Sequence, residues 1–87
     1  MKKNNHNIED VIINDDMIIN AMHLKCPEPM MLLHNKIKHI KNGGILKLLA
    51  TDPSTERDIT RFCHFLGHDL IYKKISTKEQ IFLIRKK

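Results

Sequence analysis

Residues 45–67 read ILKLLATDPSTERDITRFCHFLG. The stretch divides in two. Residues 45–51 form a short, mostly apolar run of strand length. Asp52-Pro53 then has the form of a helix N-cap followed by a first-turn proline. Ile59, Phe62, Cys63 and Leu66 recur at i, i+3, i+4 and i+7, which marks one apolar face of a helix. The spacing predicts a helix over residues 53–66, stopped by Gly67. A buried strand running straight into an amphipathic helix is the repeating unit of an α/β fold, and the rest of the chain is read outward from it.

Upstream, Asn42-Gly43-Gly44 ends an earlier helix whose apolar face is Met30, Leu33, Ile37 and Ile40. Before that helix, residues 17–21 (MIINA) read as a first strand. Downstream, residues 70–76 and 80–85 read as two more strands joined by a short polar turn, a hairpin. The order is βαβαββ. It predicts a two-layer α/β sandwich: a four-stranded mixed sheet with two helices on one face, joined by right-handed crossovers. Residues 1–15 are polar apart from one apolar cluster at 11–13, and are expected to form a loosely ordered N-terminal arm. Residues 16–87 are expected to form a single domain.

At 87 residues the chain suffices for one small domain, with a thin core that buries about 60% of the unfolded surface. The net charge of +5 admits nucleic acid or an acidic protein surface as a partner. One Tyr, three Phe and no Trp leave little for base stacking, which ranks protein recognition above direct nucleic-acid recognition. No secretory leader pattern and no run of membrane-spanning length is present. A cytoplasmic location without membrane contact is expected, with Cys26 and Cys63 as free thiols. His23 and Cys26 form an H-x-x-C, but no second compact pair follows it, so neither a metal nor another cofactor is expected. His6, His34, His39, His64 and His68 read as solvated surface residues. Cys63 lies on the apolar stripe of the second helix and reads as a core thiol. Whether it could reach Cys26 is left open by the sequence.

The candidate site is in residues 23–31, HLKCPEPMM. A residue before proline is pressed toward extended backbone, which is also what an N-cap adopts. Cys26 is therefore expected as the N-cap of the first helix, with Pro27 as its first residue. Pro29 is tolerated in that first turn, and Glu28 carries the conformational cost of standing before it. A thiol at a helix N-terminus sits in partial positive charge, Lys25 adds a cation, and the Glu28 N–H is free to point at the sulfur. These features favour thiolate over thiol, the form that reacts. Glu28 opposes them if its carboxylate swings toward the sulfur. The bland alternative is a small side chain filling space near a turn.

Leu24-Lys25-Cys26-Pro27-Glu28-Pro29 resembles the CPxP motif of the TusA family of sulfur carrier proteins, also called the SirA family. Residues 51–70, TDPSTERDITRFCHFLGHDL, resemble that family's second helix with its Asp-Pro entry. The terminal FLIRKK resembles its closing strand. The likeness spans roughly positions 17 to 86. It implies a carrier that takes sulfane sulfur from a cysteine desulfurase as a persulfide on Cys26. The sulfur then passes to a downstream TusBCD-like relay protein and ends in 2-thiolation of the wobble uridine of tRNA. The carrier would touch tRNA only indirectly and act as a monomer. Lys25, Pro27, Glu28 and Pro29 would support the thiol. His23 stands where the family often has glycine; if that position needs a positive φ, a histidine is strained there.

Arg57, Arg61 and His64 share the polar face of the second helix, as Lys36, Lys38 and Lys41 do on the first. Each set is either a solvated face or a dock for an acidic partner. Two other functions remain compatible with the residues themselves. One is a non-catalytic nucleic-acid-binding module; the other is a thiol redox regulator acting through Cys26.

Overall fold

The computed structural model describes residues 17–87. The arm expected over residues 1–15 and the surface position expected for His6 lie outside the described residues. Six elements follow in the expected order: β1 (Ile18–Ala21), α1 (Glu28–Ile37), β2 (Ile45–Ala50), α2 (Thr55–Leu66), β3 (Asp69–Ile75) and β4 (Gln80–Arg85). The strands form one sheet in the order β1-β2-β4-β3. β1 runs parallel to β2. β4 lies antiparallel to both β2 and β3. The sheet is therefore mixed, as expected, and the predicted hairpin is its β3–β4 edge. The register of that hairpin shifts between Leu70 and Tyr72.

Alternation along β2 decides which face is covered. Leu46, Leu48 and Ala50 are fully buried, whereas Ile45, Lys47 and Leu49 between them are only half-buried. Successive strand side chains point to opposite faces, so one face carries the core. Ile19, Ala21, Phe82 and Ile84 join it from the other strands. Leu33, Ile37 and Ile40 close it from the α1 side, and Ile59, Phe62 and Cys63 from α2.

Both helices are shorter than the sequence predicts. α1 ends at Ile37, not near Lys41. The chain then tightens: the His39 N–H donates to the Lys36 carbonyl at 3.0 Å and the Ile40 N–H to the Ile37 carbonyl at 3.2 Å. These three-residue closures still deliver Ile40 to the core, while the Lys86 Nζ donates to its carbonyl at 2.9 Å. Gly43, at φ 84°, turns the chain so that its N–H meets the Lys86 carbonyl at 2.6 Å. At α2 the N-cap is Ser54 rather than Asp52. Asp52 builds the turn before the helix, its Oδ1 accepting from the Ser54 N–H at 2.9 Å and the Ser54 hydroxyl at 3.0 Å. The Thr55 N–H returns to the Asp52 carbonyl at 3.0 Å. Gly67 closes the helix as expected, at φ 78°. Leu66, placed on the buried stripe by its spacing, is 51% exposed and lines a groove between the helices.

Candidate functional site

β1 and β2 are parallel neighbours, so their C-terminal ends open on the same edge of the sheet. Connections leaving such ends are where α/β folds place their chemistry. Here they are the β1–α1 and β2–α2 connections, and side-chain acceptors join them. The His23 N–H donates to Thr51 Oγ1 at 2.9 Å. The Cys26 N–H donates to Asp52 Oδ2 at 2.7 Å. A cleft of about 390 Å³ lies between the two connections, lined by His23, Leu24, Lys25, Thr51, Asp52 and Pro53.

Cys26 sits in a turn and not on the helix cap. The Cys26–Pro27 peptide is cis, and the Glu28 N–H donates back to the Lys25 carbonyl at 2.8 Å. This is the four-residue turn with cis-proline in its third position. Pro27 is the N-cap, its carbonyl taking the Met31 N–H at 3.0 Å. Two expectations are thereby corrected: Cys26 is not the cap, and the Glu28 N–H is occupied by Lys25 instead of facing the sulfur. The prolines divide the work. Pro27 makes the turn at the surface, and Pro29 is fully buried, pinning the first turn of α1 to the core.

The thiol is exposed. Its Sγ lies 3.6 Å from Asp58 Oδ2 on the first turn of α2, within reach for a sulfur donor. The other oxygen of Asp58 meets the Arg57 Nε at 3.4 Å. Asp52, which holds the Cys26 backbone, has its carboxyl lowered below the usual value. The Ser54 and Cys26 backbone donors are the main causes, with the Ser54 hydroxyl and the nearby Lys25 charge adding to them. Lys25 and Glu28 are exposed. Glu28 lines a shallow groove with Leu24, Met31, Leu32 and Asn35.

Arg57 and Arg61 are exposed on α2, on either side of Asp58. Arg61 lines a groove of about 340 Å³ between the helices, together with Met30, His34, Asp58, Phe62 and Phe65. The groove thus shares Asp58 with the thiol. Asp52, Asp58 and Phe65 are the site residues that the sequence reading misses. Phe65, 79% exposed, lies off the apolar stripe of its helix, a signal that helical phase alone could have supplied.

Cys63 is buried as expected, and burial, with the Asp69 charge, pushes its thiol up to about 11. Both cysteines are free thiols. His68 departs from the solvated reading. It is half-buried, stacks on Phe62 with centroids 5.5 Å apart, and its Nδ1 accepts the Lys87 N–H at 3.1 Å. Burial first, then the Lys86 charge, lowers its pKa. His34 is exposed but also packs edge-on against Phe62, at 4.7 Å between centroids. His23 has φ 68°, so the strained conformation considered for it is present. Among the described residues no cluster of His, Cys, Asp and Glu could hold a metal ion, and no helix is long and apolar enough to cross a membrane.

Fold and site together define a small α/β protein that presents one exposed thiol on a braced turn. The chain matches the family model described as Sulfurtransferase TusA over residues 17–86. It is 51% identical over 72 residues to the sulfur carrier protein TusA of Pseudomonas paraeruginosa, covering 83% of this chain and 91% of that one. It is 49% identical over 72 residues to the protein of the same name from Pseudomonas putida, covering 83% and 90%. The chain belongs to the TusA family of sulfur carriers.

Proposed function

We propose that the protein carries sulfane sulfur as a persulfide on Cys26. The observation that carries this reading is the held backbone beneath an exposed thiol. Asp52 fixes the Cys26 N–H, Pro29 anchors the next residues in the core, and the sulfur is left accessible. Transfer between proteins requires a sulfur that two enzymes can reach in turn, at a rate set by thiolate fraction and access.

The donor is a cysteine desulfurase holding a persulfide on its own cysteine. The Cys26 thiolate, its proton released to solvent, attacks the terminal sulfur of that persulfide. A new S–S bond forms on Cys26, the donor's S–S bond breaks, and the donor cysteine leaves as a thiolate. The sulfane sulfur changes hands without net oxidation. A downstream TusBCD-like relay protein takes it by the same exchange, and the sulfur ends in 2-thiolation of the wobble uridine of tRNA, which the carrier itself touches only indirectly. The protein acts as a monomer in the cytoplasm, and residues 16–87 are the carrier domain. Lys25, Pro27, Glu28 and Pro29 shape the turn. Arg57 and Arg61, exposed beside the groove that shares Asp58 with the thiol, dock an acidic partner surface.

The test is intact-protein mass spectrometry after incubation with a cysteine desulfurase and L-cysteine. Wild type and Cys63→Ser should gain one reducible sulfur atom, and Cys26→Ser should not. Loading of Cys26→Ser, or no loading of wild type by an active desulfurase, would overturn the reading.

A further inference from the structure

Asp58 is the one side chain that the described contacts place directly on the Cys26 sulfur. Asp58 lies 32 positions away in sequence, on a different element, in the first turn of α2. Its side chain is 19% exposed and lines the groove between the helices. Acidic side chains suit the first turn of a helix. Charged groups on the elements that meet at the sulfur include Lys25 and Glu28 on its own turn, Asp52, which accepts from the Cys26 N–H, and Asp58, Arg57 and Arg61 on α2.

A carboxylate only accepts hydrogen bonds. A hydrogen bond across the 3.6 Å contact is one that a thiol can make and a thiolate cannot; a thiolate in the same place would face a like charge. Attack on any electrophile requires the thiolate. The sulfur must leave Asp58, or Asp58 must be taken over by another cation, before Cys26 can react. Arg57 holds Asp58 by one long contact from an exposed position, which leaves the carboxylate open to a competing charge.

We propose that Asp58 is a positioning residue that parks the unloaded Cys26 thiol against α2 and withholds it from small electrophiles until a partner docks. The carrier reading gives this device its purpose, but the device is testable without a desulfurase. The experiment labels the native protein at pH 7 with iodoacetamide, which is neutral, and with iodoacetate, which is an anion. In both reactions an S–C bond forms at Cys26, the C–I bond breaks, iodide leaves and the thiol proton passes to buffer. Asp58→Asn should label Cys26 faster than wild type, by roughly three- to tenfold. The gain should be larger with iodoacetate, because the lost charge also repels that reagent. Asp58→Glu should return the rate toward wild type. Glu56→Gln, on the same helical turn but paired with Lys73, should leave it unchanged. Should Asp58→Asn fail to fold, Asp58→Ala carries the same expectation. An Asp58→Asn rate equal to or below wild type, or an equal gain in Glu56→Gln, would overturn the proposal. A protein that labels as expected yet takes no sulfur from a desulfurase would overturn the carrier reading and leave this one standing.

Discussion

Asp52 joins two connections with one carboxylate: Oδ2 holds the Cys26 N–H and Oδ1 holds Ser54. Its carboxyl is lowered from an ordinary 3.8, so the folded chain binds that proton less readily than the unfolded chain. The stabilisation is complete above the ordinary value and is lost as pH falls through the lower folded one. Asp52→Asn should therefore be less stable than wild type at neutral pH, with the gap closing in acid. Urea midpoints at about pH 7 and about pH 2 check this; an equal gap at both would mean that shape, not charge, is what the variant lost. His23 offers a residue-scale gain. At φ 68° a glycine is relieved of a steric cost, offset in part by its greater unfolded freedom, so His23→Gly should add roughly 0.5–1 kcal/mol to thermal-melt stability. A melting temperature at or below wild type would contradict it. Cys26 is legible in sequence because two prolines follow it within three residues. Asp52 and Asp58 are not legible as its partners, because contacts across 26 and 32 positions leave no local pattern.

At the scale of elements, α2 is the better example of what periodicity can and cannot say. Ile59, Phe62 and Cys63 fall inside as spaced, and Gly67 stops the helix as read. The start is misplaced because Asp52-Pro53 looks the same whether it caps a helix or builds the turn before one. Only the Ser54 contacts distinguish the two. The far end of α1 is misplaced for a related reason. Ile40 keeps the helical rhythm in sequence but is delivered by a tighter turn, held by Lys86 from the other end of the domain. Strand existence is legible throughout, and β4 is read to the residue, since its apolar run is bounded by polar neighbours on both sides. Phe62 is where α2 matters most: it sits in the core with His34 and His68 rings on it. Phe62→Ala should cost about 3–5 kcal/mol by chemical denaturation. A loss under about 1 kcal/mol would show that the histidine rings refill the gap.

At the scale of the whole molecule, the exposed positive charge of α2 lies on the same side as the thiol. If Arg57 and Arg61 dock an acidic desulfurase surface, Arg57→Glu with Arg61→Glu should weaken the complex by about tenfold or more without changing the melting temperature, and added salt should narrow the difference. Calorimetric binding insensitive to both charge reversal and salt would move the dock elsewhere. The strand order has a consequence of another kind. β4, which follows the other three described strands in the chain, is the one that β2 and β3 both pair with. Until residues 80–85 leave the ribosome, the β1–β2 pair and the lone β3 have no shared neighbour, and the core lacks Phe82 and Ile84. Assembly of the full sheet thus waits for residues 80–85, and until they arrive the edges of β2 and β3 stay open to pairing with another chain.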